Sequence, residues 1–394
     1  MTPVRALVVS HSADRTGAPI ALLRILQWCV QQALVEPTVV LRQDGELVSE
    51  FEKLGPTSLI SANREHRVQV ALESAPFGDA ALAAANFASD HRLRRLCARR
   101  KVEVIYVNTA VERRVTAALK PLDLPVVTHV HELERELLTT VGRDGIKNAI
   151  NDSDVLIAVS GAVRKMLLAH GADGARIADV QEPIGDGGPV SELERNAVRR
   201  TVLGVDDGTF VVVGCGKPSW RKGTDVFLRV AQRVVENAPA NTKVVFRWIG
   251  GTLPNRALST LTDDIACLGL HDQVGVMPDR RDVEALLAAA DVFISTSRED
   301  PNPLVVLEAA AAGCPVVCFR SAGGAEELAD AGGGKAVPYL DANAMADAVL
   351  ALIDSPKERE ELGAKARMIV THGNAPQVVA EKVAAVLRGC VVSC

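Results

Sequence analysis

The feature that most constrains this fold is a regular alternation of short, continuous apolar runs with longer stretches of helical period. The run RALVVS at 5–10, for example, is followed by APIALLRILQWCVQQAL at 18–34. Strands that are apolar on both faces must be covered on both faces, which favours parallel strands connected by helices. The pattern therefore predicts a doubly wound α/β architecture of the Rossmann type. The predicted strands lie at 5–10, 37–41, 102–108, 125–131, 155–160, 209–216, 243–251, 273–277, 291–297 and 314–319.

The alternation occurs twice, which indicates two domains. A chain of 394 residues is longer than one ordinary hydrophobic core supports. Between the two series lies EPIGDGGPVSELERNAVRR at 182–200, a stretch rich in glycine and charge. We predict an N-terminal Rossmann-like domain at 1–185, a linker near 183–200, a C-terminal Rossmann-like domain at 200–372 and a final helix at 373–394. The N-terminal domain is a candidate packing partner for that helix.

Composition excludes several classes of function. The net charge of −5 and the aromatic content of 3% argue against a nucleic-acid-binding protein, which needs a basic face and stacking side chains. The N-terminus lacks a basic segment followed by a long apolar one, and no apolar run reaches the ~18 residues of a membrane helix. We therefore expect a cytoplasmic protein. The basic segment HRLRRLCARRK at 91–101 is interpreted as a solvated helix face, with peripheral contact at the inner membrane surface as the alternative.

The potential metal ligands do not predict a metal site. The eight cysteines include no Cys-x-x-Cys pair and are interpreted as reduced, mostly buried thiols. His129 and His131 alternate on a predicted strand, but spacing places no further ligand beside them. Asp152 and Asp154 form the Asp-x-Asp pattern of metal-dependent sugar transferases. They precede their strand, however, and are interpreted as a turn.

Loops that follow strands are the candidate site, because ligands of parallel sheets bind beyond the carboxyl ends of the strands. In SHSADRTGAP at 10–19, Gly17 would let backbone amides at a helix start approach an anion. The spacing is not Gly-x-Gly-x-x-Gly, which disfavours a nicotinamide-dependent oxidoreductase. In PVVTHVHE at 125–132, His131 ends a strand and could donate to a sugar hydroxyl.

The loop GCGKPSWRKGTD at 214–225 concentrates positive charge beside a predicted helix start. Lys217, Arg221 and Lys222 precede Thr224, which we predict to cap the helix. Several cations at a helix N-terminus suit a strongly charged anion such as a diphosphate. The Gly-Lys-Ser/Thr signature of a P-loop nucleotidase is absent.

The stretch STSREDPNPLVVLEAAAAGCPVVCF at 295–319 keeps acids within an apolar run. Glu299 and Asp300 stand at the end of a predicted strand, and Glu308 lies within the following helix. One carboxylate can accept hydrogen bonds from both hydroxyls of a ribose, so Glu308 is predicted to bind a nucleotide ribose. At the helix start, unpaired amides could meet an anion. The residues predicted to form that start are Pro303, Leu304 and Val305.

Together these motifs resemble the family 4 glycosyltransferases of the GT-B fold, and the resemblance covers nearly the whole chain. Asp300 and Glu308 have the spacing of that family's two acids, which are separated by seven residues. The family's first acid is usually glutamate, so Asp300 departs from the pattern and Glu299 is a candidate to share its role. Lys222 matches the lysine of the family's diphosphate-binding pair. Lys217 replaces the usual arginine, for which Arg221 could compensate.

Two further loops resemble the family's motifs. SHSADRTGAP resembles its N-terminal glycine loop, and His131 matches the histidine that contacts the donor sugar. SAGGAEEL at 321–328 resembles its Gly-Gly turn, with Glu327 in the place of the acid.

The resemblance implies a retaining, metal-independent transfer of a sugar from a UDP- or GDP-sugar to a glycan, glycolipid or small-molecule acceptor. No cofactor is implied beyond the donor. Lys217 and Lys222 would stabilise the leaving diphosphate, and Glu308 would hold the ribose. Asp300, Glu299 and amides near Asn302 and Leu304 would hold the sugar hydroxyls. The N-terminal domain would bind the acceptor. The alternatives are a sugar-nucleotide epimerase of the same fold and a catalytically degenerate glycosyltransferase-like subunit.

Overall fold

Two parallel β-sheets organise the chain, one in each of two structural units. A computed structural model describes residues 2–60, 78–185, 187–251 and 256–392. One unit comprises Met1–Pro183 together with Pro376–Cys394, and the other comprises Ile184–Ala375. Among the described residues, no helix combines the length and hydropathy that crossing a bilayer requires.

The first sheet has seven strands in the order β3-β2-β1-β4-β5-β6-β7, and each neighbouring pair is parallel. The central strands β1 (VRALVVS) and β4 (VIYV) are mostly apolar and are buried at every position but Arg5, as helices on both faces require. The strands are β1 Val4–Ser10, β2 Val35–Leu41, β3 Thr57–Leu59, β4 Val104–Val107, β5 Val126–Val130, β6 Val155–Ala158 and β7 Ile177–Asp179.

The second sheet has six parallel strands in the order β10-β9-β8-β11-β12-β13. Its two faces carry separate apolar cores, one of them built around Phe227, Phe246 and Trp248. The predicted doubly wound α/β architecture is therefore confirmed in both units. The strands are β8 Phe210–Cys215, β9 Val244–Ile249, β10 Val274–Met277, β11 Val292–Ser295, β12 Val316–Phe319 and β13 Gly334–Val337.

Helices connect successive strands in both units. In the first unit the α-helices are Gly17–Gln31, Val48–Leu54, Gly78–Arg100, Arg114–Leu119, Glu134–Thr140, Gly142–Asn151, Gly161–Ala169 and Pro376–Val392. In the second unit they are Glu192–Val198, Thr224–Asn237, Arg256–Cys267, Val283–Ala289, Leu304–Ala311, Ala325–Leu328, Ala342–Asp354 and Pro356–Gly373. Short 3₁₀ turns lie at Lys120–Leu122 and Gly174–Arg176, and π-helical turns at Arg199–Leu203 and Ala329–Gly333.

The C-terminal helix belongs to the first unit. Apolar side chains of Pro376–Val392, among them Val383 and Leu387, join the core that β1, β2 and the helix Gly17–Gln31 form. The thiol of Cys29 also donates to the carbonyl of Ala380 at 3.6 Å. The first unit is thus completed by a segment from the far end of the chain.

The predicted linker is partly structured. The helix Glu192–Val198 lies within 183–200 and begins with a capping box between Ser191 and Glu194. This segment belongs to the second unit, which begins at Ile184. Arg195 and Arg199 anchor it through ion pairs to Asp291 at 2.6 and 3.0 Å. The charges of this segment therefore form a helix cap and ion pairs rather than a free connection.

The basic segment 91–101 lies mostly in the helix Gly78–Arg100. Leu93 and Cys97 are buried against the first unit, while Arg92, Arg95 and Arg99 are exposed. The segment thus has the solvated helix face that the sequence predicts, together with a separate apolar stripe.

Candidate active site

The predicted donor-binding loops of the second unit meet at one end of its sheet. β8 and β11 are neighbours, and the strand order reverses at this point. Parallel sheets bind ligands at such switch points, beyond the carboxyl ends of the strands. The loop after β8 carries Arg221 and Lys222, and the loop after β11 carries Glu299 and Asp300. The structure brings these two loops into direct contact.

Asp300 is the centre of this contact. Its Oδ2 accepts from Lys222 Nζ at 2.7 Å and from Ser297 Oγ at 3.2 Å, and its Oδ1 accepts from Arg221 at 3.1 Å. Arg221 also donates to the carbonyl of Glu299 at 3.1 Å. Burial alone would raise the pKa of Asp300, but Lys222 and Arg221 outweigh it and lower that pKa. The carboxyl is therefore ionised and fixes both cations.

Glycines allow this close approach of the loops. Gly223 has φ +66° and Gly323 has φ +136°, in the region that favours glycine. A Cβ at Gly223 would overlap the carbonyl of Thr296, and one at Gly323 would overlap the carbonyl of Asp300. Asp300 is further held by its N–H, which donates to Ala322 at 2.7 Å. The backbone around the acid is thus fixed on both sides.

The helix Leu304–Ala311 begins at the same end of the sheet. The sequence predicts Pro303 within the first helical turn, but Pro303 is the N-cap, with φ −68° and ψ 115°, and the helix begins one residue later, at Leu304. Among the described residues, the amides of Leu304 and Val305 have no hydrogen-bond partner, as expected for the first turn. Glu308 is half-buried one turn further on, and Asn302, just before the cap, is also half-buried.

The remaining residues of the β8 loop differ in environment. Lys217 is exposed and forms no hydrogen bond or ion pair within the described part of the chain. Thr224 is the first residue of its helix, and Gly223 occupies the N-cap position that we predict for Thr224.

Cys215 ends β8 close to Lys222 and Glu308, whose charges act on its thiol. Burial raises the pKa of Cys215 to about 12, so this thiol is neutral.

Glu327, the predicted counterpart of an acid after the Gly-Gly turn, is exposed on the short helix Ala325–Leu328. Its neighbour Glu326 accepts from the amide of Ser321 at 2.7 Å and from Arg320 at 2.9 Å. Glu326 therefore holds the turn together.

A second polar cluster lies at the switch point of the first sheet, where β1 and β4 are neighbours. His131, which follows β5, is its centre. His131 Nδ1 lies 2.6 Å from Glu182 Oε1, and His131 Nε2 lies 2.9 Å from Asn108 Oδ1. Both ring nitrogens are therefore engaged within the unit. A hydrogen bond from this ring to a sugar, as predicted, requires one of these partners to move.

Two more histidines flank His131. The rings of His129 and His131 are 4.3 Å apart, and His129 Nδ1 lies 2.7 Å from the hydroxyl of the buried Tyr106. Burial, and then the charge of His131, lower the pKa of His129 well below its usual value. The same two causes lower the pKa of His11, which follows β1, while Asp14 raises it slightly. His129 and His11 are thus neutral at physiological pH.

Gly17 is the first residue of the helix Gly17–Gln31 and is exposed. The N-cap residue Thr16 makes no capping bond with its side chain. Asn108 links this helix start to His131, since its Nδ2 donates to the carbonyl of Ala18 at 2.9 Å. Gly17 therefore stands near the His131 cluster.

Sequence reasoning missed four residues of these clusters: Ser297, His11, Asn108 and Glu182. The first three follow β11, β1 and β4 directly or within two residues, so a systematic survey of strand ends could have found them. Glu182 follows β7, a three-residue edge strand that the hydrophobic pattern does not predict.

The Asp-x-Asp pattern lies at the amino end of β6, away from both clusters. Asp154 accepts from the amide of Val126 at 2.7 Å, and Asp152 pairs with Lys120 at 3.4 Å. It is a turn before a strand, as predicted. Within the described ranges, no group of three or more His, Cys, Asp or Glu side chains is arranged to hold a metal ion.

Comparison with known families gives two matches along the chain. A family described as Glycosyltransferase Family 4 matches residues 22–184, and one described as Glycosyl transferases group 1 matches residues 208–355. The GDP-mannose-dependent alpha-(1-6)-phosphatidylinositol monomannoside mannosyltransferase of Mycolicibacterium smegmatis is 26% identical over 70% of this chain and 74% of its own length. A D-inositol 3-phosphate glycosyltransferase of Saccharomonospora viridis is 30% identical over 45% of this chain and 44% of the relative's own length.

Solved structures share the fold over nearly the whole chain. Anabaena Alr3699/HepE, in a complex with UDP and glucose, has a TM-score of 0.79 at 21% identity and covers 98% of this chain and 99% of its own. WaaG, a glycosyltransferase involved in lipopolysaccharide biosynthesis, has a TM-score of 0.69 at 15% identity, with coverage of 98% and 100%. At these identities the likeness establishes the fold alone.

Proposed function

Because the chain belongs to the family 4 glycosyltransferases and has the GT-B fold, we propose that it transfers a sugar from a nucleotide-sugar donor, such as a UDP- or GDP-sugar, to a glycan, glycolipid or small-molecule acceptor. We further propose that transfer retains the anomeric configuration and needs no metal ion. The observation that carries the proposal is the convergence of Lys222 and Arg221 on Asp300 at the β8/β11 switch point.

The arrangement suits a diphosphate leaving group. A lysine ammonium has three donors, and Asp300 Oδ2 takes one, so Lys222 retains two for phosphate oxygens. The amides of Leu304 and Val305 are unpaired at the start of an eight-residue helix, where an anion is favoured. These donors are fixed before the ligand arrives, which is the condition for electrostatic stabilisation of a developing charge. Lys217 is exposed and available to add a further cation.

The other donor contacts are assigned by position. Glu308, one turn into the same helix, is proposed to hold the ribose hydroxyls. Glu299 and the backbone near Asn302 are proposed to hold the sugar, because Asp300 is committed to Lys222, Arg221 and Ser297. Acceptor binding is assigned to the first domain.

The test is a thermal-shift panel of UDP-, GDP- and ADP-sugars with EDTA in every sample. A donor present at about 100 times its Kd should add roughly 2.7 kcal/mol to the free energy of unfolding. Lys222→Met should lower kcat for transfer by about 100-fold, the usual effect of losing one such donor. The matched control is Lys243→Met, because Lys243 also pairs with an aspartate but is 64% exposed.

Three outcomes would contradict the proposal. Wild-type rates in Lys222→Met would show that Lys222 does not contribute to transfer. A donor that stabilises the protein only when a divalent metal replaces the EDTA would rule out the metal-independent mechanism. Conversion of the donor's sugar without any acceptor would indicate the epimerase instead.

A further inference from the structure

The amide of Asn108 determines which nitrogen of His131 carries a proton. Asn108 Nδ2 donates to the carbonyl of Ala18 at 2.9 Å, and a carbonyl can only accept. The amide oxygen of Asn108 therefore faces His131 Nε2, at 2.9 Å. Since that oxygen is also only an acceptor, Nε2 of His131 must carry a hydrogen.

The opposite nitrogen faces a carboxylate. His131 Nδ1 lies 2.6 Å from Glu182 Oε1, and these side chains are only 6% and 5% exposed. A carboxylate group only accepts, and its contact with Nδ1 requires a hydrogen on that nitrogen as well. A short contact between two nearly dry groups is typical of a charge-assisted hydrogen bond.

We propose that Glu182 is a positioning residue, which holds His131 as a doubly protonated imidazolium and thereby places a fixed positive charge at the carboxyl edge of the first sheet. The part of this inference that concerns transfer rests on the proposed function; the protonation of His131 does not. With both nitrogens engaged, His131 acts on an anion bound at this edge through its charge rather than through a new hydrogen bond.

The groups around His131 favour a positive charge on its ring and on neither neighbouring imidazole. Burial, the largest single influence, favours the neutral ring, but the carboxylates of Glu182 and Glu132 together outweigh burial, and the pKa of His131 is raised. The buried Glu132 adds to this effect and accepts from the backbone amide of His131 at 3.0 Å. His11 and His129 oppose it only if they are charged, and both have lowered pKa values. Of the three imidazoles, His131 is therefore the one that carries the second ring proton.

The other polar groups around the cluster do not compete for this proton. Asp14 acts on His11, and the hydroxyl of Tyr106 contacts His129. Thr109 and the amide of Ala110 contact Glu132. Removing the charge of Glu182 leaves burial as the largest influence on His131, which lowers its pKa.

The experiment is a histidine-labelled NMR titration of the full chain together with pH profiles of kcat/KM. In the wild type, both nitrogens of His131 should be protonated at neutral pH, so the ring should titrate above neutral pH. In Glu182→Gln the ring should titrate below 6.5, and kcat/KM at neutral pH should fall by about tenfold or more, since each unit of pKa shift changes the charged fraction tenfold. Activity should recover as the pH falls, and Glu182→Asp should restore the wild-type profile.

Glu134→Gln is the matched control, because Glu134 also pairs with a histidine, His170, at 3.0 Å but is 57% exposed. It should leave both the His131 titration and the pH profile unchanged. A neutral His131 ring in the wild type overturns the proposal, and this measurement needs no variant. An unaltered pH profile in Glu182→Gln overturns the part of the proposal that concerns transfer. If the wild type turns over no donor, the proposed function fails while the titration still decides the protonation.

Discussion

At the scale of single residues, Asp300 shows how a departure from a family pattern is accommodated. Its carboxylate accepts from Lys222, Arg221 and Ser297 and is only 7% exposed. Asp300 is therefore better suited to fixing the cations than to binding the sugar, the role that the family resemblance implies for it.

Asp300→Asn should reduce the free energy of unfolding by about 2 kcal/mol at neutral pH. Breaking a buried ion pair typically costs about 3–5 kcal/mol, and the partial exposure of Arg221 reduces this. Because the pKa of Asp300 is lowered in the folded state, its contribution is present above 3.8 and is lost as the pH falls through the folded pKa. Urea unfolding of both proteins should therefore differ at neutral pH and converge only below pH 3.8.

Asp206→Asn is the control for this prediction. Asp206 also pairs with a lysine, Lys243, but is 88% exposed, so its loss should change stability by less than about 0.5 kcal/mol. Equal stabilities of Asp300→Asn and the wild type at neutral pH would show that Asp300 does not hold the cations in solution.

At the scale of elements, the strands that the sequence did not predict all lie at sheet edges. The ten predicted strands are all present, with ends that differ by a few residues. The missed strands are β3, β7 and β13, each at the edge of its sheet. β3 and β7 have three residues each, and β13 has the sequence GKAV. An edge strand buries less side-chain surface, so its sequence need not carry a long apolar run.

The C-terminal helix is the element whose placement has the clearest energetic consequence. Leu387 is 1% exposed and lies in the core of the first unit. Leu387→Ala should therefore destabilise the protein by about 3 kcal/mol through lost transfer energy and a residual cavity. Thermal or urea unfolding of the full chain measures this loss.

Leu193→Ala serves as the control, since Leu193 is 77% exposed on the helix Glu192–Val198. Its effect should stay within about 0.5 kcal/mol. A Leu387→Ala protein as stable as Leu193→Ala would mean that the helix Pro376–Val392 does not support the first core.

At the scale of the whole molecule, the two units differ in how the chain builds them. The second unit is one continuous segment, Ile184–Ala375, with an apolar core on each face of its sheet. The first unit combines Met1–Pro183 with Pro376–Cys394, and residues from both segments share one core. Continuity along the chain therefore favours independent folding of the second unit only.

Residues 184–375 expressed alone should unfold cooperatively and bind the nucleoside diphosphate of the preferred donor. Residues 1–183 alone should lack a cooperative transition, because the helix that completes their core is missing. Calorimetric unfolding and nucleotide titration of the two fragments test this difference. A stable fragment 1–183, or a fragment 184–375 that folds but binds no nucleotide, would contradict the prediction.

The sequence by itself determined the fold class, the ten principal strands and the loops that carry the donor-site candidates. It could do so because burial on both faces imposes continuous apolar runs, and because a parallel sheet places its strand ends together. Only the tertiary structure decided that Asp300 binds Lys222 and Arg221, that Glu182 and Asn108 engage His131, and that the last helix completes the first core. These contacts join residues that are distant in sequence, and no local pattern records which distant groups will meet.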